Sequence, residues 1–296
     1  MRRRFLLIHN PLAGRRGNRL RTGVIEGLKN HGALVTKVEE PDMTAVAARI
    51  SKICGKSRFD AVLVSGGDGT VRAVVSSSWQ QKIPLGLIPS GTGNVLAHEI
   101  GQPFDSQGIV DVLLHGPEIE FQASQINGQP FLLMAGIGFD AEVISGLNLA
   151  TKQRVGKLAY AWPIIRALQA QPEEFAVEID GAKRQATWLI ATRVSHYAGS
   201  FNIAKRANLR QPGMIAVVFE AKTRLGRLQE LYALVSSKIK GQKSIKMFAC
   251  HDINVFSTKP RAIHADGDKA GITPAKISTG YPTVRLIVPH KYALKS

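Results

Sequence analysis

Apolar positions in the first 115 residues fall into two kinds of run. Short continuous runs at residues 4–10, 33–40, 59–67 and 83–91 have the length and β-branched content of buried strands. Between them lie helix-like segments. Leu20, Val24 and Leu28 recur at helical spacing and stop at Gly32, and residues 44–54, 70–79 and 94–101 carry the same kind of pattern. Strand and helix in alternation predict a parallel sheet covered by helices.

After residue 117 the pattern changes. Residues 118–136 hold paired strand-like runs around Asn127-Gly128, and residues 175–192 repeat this around Asp180-Gly181, both strong hairpin signals. Further strand-like runs follow at 214–219, 244–249, 252–257, 275–279 and 283–288, with helices expected at 153–170 and 224–240. The predicted fold class is α/β: an N-terminal parallel-sheet domain at 1–117 and a larger β-rich domain at 118–282.

Composition adds a charge argument. Lys and Arg outnumber Asp and Glu by 39 to 22, a formal +17, which favours phosphate-bearing partners. Aromatic residues are only 6% of the chain, too few for the interleaved platform of a single-strand nucleic-acid binder. No nucleic-acid partner is expected. Cys54 and Cys250 lack CxxC company, so neither a disulfide framework nor a zinc site is indicated, and a reducing cytoplasm suits them. The basic start leads into only a short apolar run, Phe5 to Ile8, which is no signal peptide. No stretch approaches the roughly 18 apolar residues of a spanning helix. A soluble or membrane-surface protein is expected.

Three glycine-bearing segments fall where strands end and helices begin: 10–19, 65–70 (SGGDGT) and 89–94 (PSGTGN). Glycine lets backbone N–H groups approach an anion, and ligands of open α/β sheets bind at such strand ends. A tight strand-to-helix turn explains any one of them equally well. Recurrence favours a polyphosphate site, and the first segment carries Arg15, Arg16 and Arg19. Asp68 would repel a phosphate unless a cation intervened, and Mg²⁺ is commonly held by one or two carboxylates plus substrate phosphates. Capping the helix that begins near Thr70 is the plainer role.

Gly66-Gly67-Asp68-Gly69-Thr70, followed at close spacing by Pro89-Ser90-Gly91-Thr92-Gly93-Asn94, resembles the diacylglycerol kinase catalytic family, which includes sphingosine kinase-like and bacterial lipid kinases. Asn10-Pro11 with Gly14 looks like its first nucleotide loop. Residues 136–141 (GIGFDA) resemble its mid-chain glycine motif, residues 154–160 its next helix, and Ala265-Asp266-Gly267-Asp268 its late acidic motif. NAD kinases and phosphofructokinases share the first loop but not its partner.

The resemblance implies a nucleotide domain of phosphofructokinase/NAD kinase type, a β-rich lipid-substrate domain, a cleft between them, and a last strand within 283–296 that returns to the first domain. It further implies an ATP- and Mg²⁺-dependent lipid kinase acting on diacylglycerol or a related alcohol. Asn10, Thr44, Gly66, Gly67, Asp68, Gly69, Thr70, Ser90, Gly91, Thr92 and Asn94 would bind ATP, with Asp68 near Mg²⁺. Asp266 would accept or orient the hydroxyl proton, and Asp268 would help place nucleotide or metal; a simple Asp-Gly hairpin is the plainer reading of both acids. Partners would be a lipid at a membrane surface and anionic headgroups, with peripheral, cytoplasmic localisation and a homodimer left open.

Departures from the family pattern bear on the substrate. Val95 follows Asn94 where many diacylglycerol kinases carry an acid, Asp268 replaces a Glu, and Pro212-Gly213 stands where some bacterial members have an Asp-Gly that holds a structural Mg²⁺. Leu158, Tyr160, Trp162, Ile164, Ile165 and Leu168 form an apolar stripe that is expected to be core, with a lipid channel or interface as the alternative. Lys205, Arg206 and Arg210, and Lys222, Arg224 and Arg227, are candidate headgroup contacts. A non-catalytic basic lipid- or nucleotide-binding protein is the competing function, and an NAD kinase a third.

Overall fold

The structure is a computed structural model that describes residues 1–9, 15–39, 50, 52–53, 58–78, 83–148, 156–199, 201–280 and 283–294. Asn10, Pro11, Gly14, Thr44, Cys54 and Arg154 lie outside the described residues. The chain divides into two compact units, Met1–Phe121 with Pro282–Ser296, and Gln122–Tyr281.

The first unit is built on a six-stranded sheet in the order Leu34–Glu39, Arg4–His9, Ala61–Gly66, Leu85–Pro89, Thr283–Ile287, Glu118–Gln122. The strands through Leu85–Pro89 pair in parallel, and Thr283–Ile287 joins them parallel to Leu85–Pro89. The central strands are buried along nearly their whole length, which is why they read as continuous apolar runs rather than alternating ones. Phe5, Leu7, Leu63, Ile88 and Ile287 pack with Val24 and Leu28 of the helix Arg15–Asn30. That helix starts inside the segment expected as a glycine loop. Gly17 explains why: a Cβ there would lie 2.6 Å from the Ser90 Cβ, so the bare position lets the first turn press on the strand end. The helix stops as expected, with Gly32 at φ +76° and the Ala33 N–H donating back to the Leu28 carbonyl. A helix at Ser106–His115, capped by Asp105, was not evident from the apolar pattern.

The second unit is a β-sandwich of two six-stranded sheets, whose facing residues include Phe131, Ile137, Phe175, Leu189, Val218 and Ile253. The hairpin signals are realised. Asn127 and Gly128, and Asp180 and Gly181, all take positive φ, as two-residue turns of this hand require. The α/β unit followed by a β-rich unit is therefore the fold class the sequence predicts.

Two expectations fail here. The apolar stripe is not core: Leu158 is 77% exposed and Trp162 72%, because the helix Ala161–Gln169 buries Pro163 and Ala167 instead. Arg227 does not face outward either. It is 2% exposed, and its guanidinium donates to the carbonyls of Ala167 and Ala170, where it ties the helix Arg224–Val235 to its neighbour. No helix among the described residues is long and apolar enough to cross a membrane.

Burial pushes the Glu230 carboxyl up to about 7, against hydrogen bonds from Ser244, Ala221 and Glu220 and the charge of Arg227. The folded chain thus keeps a proton that the unfolded chain loses at lower pH, so stability should fall as pH rises from the ordinary glutamate range to about 7. Urea unfolding at about pH 5 and about pH 8 should show this loss, at most ~3 kcal/mol, and Glu230→Gln should flatten it.

Candidate functional site

The two glycine loops of the first unit lie against each other. A Cβ on Gly91 would fall 2.4 Å from the Gly67 Cα, and one on Gly67 would fall 3.2 Å from the Gly91 Cα. A Cβ at Gly91 would forbid that contact, and one at Gly67 would crowd it. The Ser90 N–H donates to the Gly66 carbonyl at 3.1 Å, extending the strand pairing into the loops.

Asp68 then joins them. Its Oδ2 accepts the Val95 N–H at 3.0 Å and its Oδ1 the Leu96 N–H at 3.1 Å. The carboxylate thus caps the helix Val95–Ile100 across the gap, rather than the helix Asp68–Ser78 that it begins. Burial pushes the Asp68 carboxyl above its ordinary range, while the Leu96 and Val95 amides and the charge of His98 pull it back. Asn94 closes the second loop. At φ 48° and ψ 43° it sits in the left-handed region, its Oδ1 accepts the Gly91 N–H at 2.9 Å, and its amide donates to the Gly91 carbonyl at 2.8 Å. Thr70 is buried against Gly66, where a Cβ would lie 2.5 Å from its Cβ. Gly69 and Thr92 are half-buried on the two loops.

What the loops leave open is polar. Ser65 Oγ and Ser90 Oγ are buried at the ends of adjacent strands and have no hydrogen-bond partner among the described residues. Orphaned hydroxyls are costly in a finished core and reasonable at a ligand site. The first amides of the helix Val95–Ile100, by contrast, are already satisfied by Asp68 and are not an anion cradle.

The second unit carries the late acidic motif. Asp266 and Gly267 form the turn between the strands Ala262–Ala265 and Asp268–Ile272, with φ of 50° and 82°. The Asp266 side chain is turned inward. Oδ2 accepts the Leu132 N–H at 2.8 Å, and Oδ1 accepts those of Leu133 and Met134 at 2.9 and 3.0 Å. Such bonding makes Asp266 the organiser of the 132–134 turn and counts against the proton-accepting role expected of it. Asp268, at the head of the next strand, is half-buried.

Beneath this turn, His264 Nε2 lies 2.7 Å from Asp140 Oδ2, both side chains almost fully buried. Gly136 makes room for the pair, since a Cβ there would fall 2.3 Å from His264 Nε2 and 2.4 Å from Asp140 Oδ2. The glycine and the aspartate of GIGFDA are thereby explained by packing. Sequence reasoning passed over His264, whose signal is a lone imidazole in an apolar strand.

It passed over Arg193 as well. Beside Pro212-Gly213, the buried Arg193 guanidinium donates to the carbonyls of Gly213, Leu209 and Gln211 at 2.6, 3.1 and 3.2 Å. Burial lowers its pKa to about 10, so it remains charged at neutral pH. A side-chain cation holds the loop, and Pro212 brings no carboxylate for a metal. Among the described residues there is no group of three or more His, Cys, Asp or Glu that could hold a metal ion.

Comparison with known proteins accounts for both units. Residues 4–126 match the Diacylglycerol kinase catalytic domain, and residues 134–289, more than half of the chain, match the YegS C-terminal NAD kinase beta sandwich-like domain. This chain belongs to the diacylglycerol kinase catalytic family. A Diacylglycerol kinase of Bacillus subtilis (strain 168) is 24% identical over 298 residues, covering 98% of each chain. One from Staphylococcus carnosus (strain TM300) is 26% identical over 286 residues, covering 93% of this chain and 92% of its own. An uncharacterized protein of Synechocystis is 27% identical over 236 residues, but this chain spans only 54% of its length. The crystal structure of a diacylglycerol kinase from Bacillus anthracis str. Sterne superposes with a TM-score of 0.75 at 19% identity, covering 97% of each chain, a likeness of fold. At the level of the family the chain is a kinase.

Three substitutions test this geometry. Gly91→Ala should force the loops apart and cost about 1–3 kcal/mol in urea unfolding together with nucleotide affinity, whereas Gly93→Ala, whose Cβ would stand 3.4 Å from Asp68 Oδ2, should cost less. Arg193→Met should lower stability by roughly 2–3 kcal/mol, because one buried and two part-buried carbonyls lose their donor.

Proposed function

We propose that this protein is an ATP- and Mg²⁺-dependent lipid kinase that phosphorylates the hydroxyl of diacylglycerol or a related lipid alcohol. The observation that carries this reading is the pair of glycine loops in backbone contact and bridged by Asp68, in a chain of this family.

The residues present fit the nucleotide. Ser65 and Ser90 offer buried hydroxyls, and the loops at Gly66–Thr70 and Ser90–Asn94 offer bare backbone for phosphate oxygens. They fit magnesium only in part. Each Asp68 oxygen already accepts an amide, and with the lone pairs that remain it would act through water on an ion carried by the phosphates. ATP would supply the phosphoryl group, and Mg²⁺ would neutralise charge on it.

In the transfer, the bond from the γ-phosphorus to its bridging oxygen breaks and a bond to the lipid hydroxyl oxygen forms. The hydroxyl proton must leave. We assign its acceptance to Asp268, because Asp266 is occupied by three amides and serves to hold the hairpin that presents Asp268. Asn10 and Thr44 keep the nucleotide contacts that the family resemblance implies. Val95 and the Asp at 268 leave diacylglycerol and other lipid alcohols both open as acceptors.

Incubation with labelled ATP, Mg²⁺ and a total lipid extract should yield a phosphorylated lipid, identifiable by mass spectrometry. Asp268→Asn should slow the transfer by about 10²–10⁴-fold with stability unchanged, and Asp68→Asn should abolish it while weakening the helix cap by ~1 kcal/mol. Nucleotide binding without any labelled lipid would instead favour the non-catalytic binding protein, and labelled NAD the NAD kinase.

A further inference from the structure

The helix Arg224–Val235 buries Arg227 and Glu230 together with Ala233 and Leu234, and exposes Leu225, Leu228, Tyr232 and Val235. Those four positions fall on one side of the helix, opposite the buried charges. The neighbouring helix Ala161–Gln169, tied to it by Arg227, exposes Trp162 and Ile165, and the turn before it exposes Leu158. Phe201, in a short strand whose Asn202 N–H is bonded to Ser237 Oγ just past the first helix, is exposed as well. Apolar surface of this extent, contributed by adjoining elements, marks an interaction surface.

Its surroundings say what it meets. Residues 222–246 contain seven Lys and Arg and one acid, and that acid, Glu230, is buried. Residues 156–170 contain Lys157 and Arg166 and no acid. Arg166, Arg224, Lys238, Lys240 and Lys243 are exposed around the apolar positions. Large aliphatic and aromatic side chains stand beside cations that outnumber the exposed acids Glu173 and Glu174, the latter paired with Lys222 at 2.9 Å, and that balance matches an anionic bilayer surface rather than an ordinary protein face.

We propose that the outward faces of the helices Ala161–Gln169 and Arg224–Val235 form a docking surface for anionic phospholipid bilayers, with Trp162, Leu228 and Tyr232 seated among the acyl chains. Its purpose rests on the lipid kinase reading, since a soluble enzyme must meet an acceptor that stays in the membrane. Its existence is tested without catalysis.

The full chain is mixed with vesicles of phosphatidylglycerol and phosphatidylcholine, or of phosphatidylcholine alone, without ATP, and sedimented. The protein should bind the anionic vesicles, and brominated acyl chains should quench its Trp162 emission. The triple variant Trp162→Ala, Leu228→Ala, Tyr232→Ala, altered only at exposed positions, should keep its melting curve and its transfer to acceptor dispersed in detergent, yet bind vesicles at least about tenfold more weakly. Equal binding by wild type and variant would overturn the proposal, as would a wild type that phosphorylates lipid in detergent but ignores vesicles, or a variant that loses only a homodimer. A wild type that binds vesicles through these residues but phosphorylates no lipid would support the surface and defeat the kinase reading.

Discussion

The contact on which the first unit depends is backbone against backbone, at Gly67 and Gly91. Two loops that leave adjacent parallel strands can meet this closely only if Gly91 carries no Cβ and Gly67 adds little bulk, and once they meet, one carboxylate can span them. Asp68 does so by capping a helix that begins more than two dozen residues later. The cap satisfies the first amides of that helix, which leaves the loop backbone and the buried Ser65 and Ser90 hydroxyls as the open polar groups of the candidate site. A short-range steric demand thus sets the shape of the whole candidate site.

The second unit applies the same economy with buried charge. Asp266 gathers three amides of one turn, Arg193 three carbonyls of another, and Asp140 and His264 meet across the space that Gly136 leaves empty. Removing one partner from such a group leaves the others desolvated and unpaired, so each fixes its loop more firmly than an exposed ion pair would.

Much of this was legible in the sequence, because the deciding features are local. Buried parallel strands announce themselves as unbroken apolar runs, and Asn127-Gly128 and Asp180-Gly181 announce their turns. The spacing of the two glycine loops carries the family. What was not legible depends on partners distant in the chain. That Asp68 caps Val95 and Leu96, that Asp266 faces inward to residues 132–134, and that Arg193 binds carbonyls of 209–213 follow from tertiary packing alone. The stripe around Trp162 misled for a related reason. Its periodicity is that of a core helix, and only the neighbour that covers its other face, on Pro163 and Ala167, shows which side is out. In the helix Arg224–Val235 two charged residues, Arg227 and Glu230, lie inside with Ala233 and Leu234 while four large apolar ones lie outside, and no single-sequence rule anticipates that.

The central claim is that the joined glycine loops are the nucleotide site and that Asp68 holds them. Amide hydrogen exchange, followed with and without Mg-ATP, measures this most directly. The account predicts that Mg-ATP slows exchange at residues 66–70 and 90–94, and that Asp68→Asn removes this protection while speeding exchange at Val95 and Leu96. Unchanged exchange at both loops in the presence of saturating Mg-ATP would contradict it.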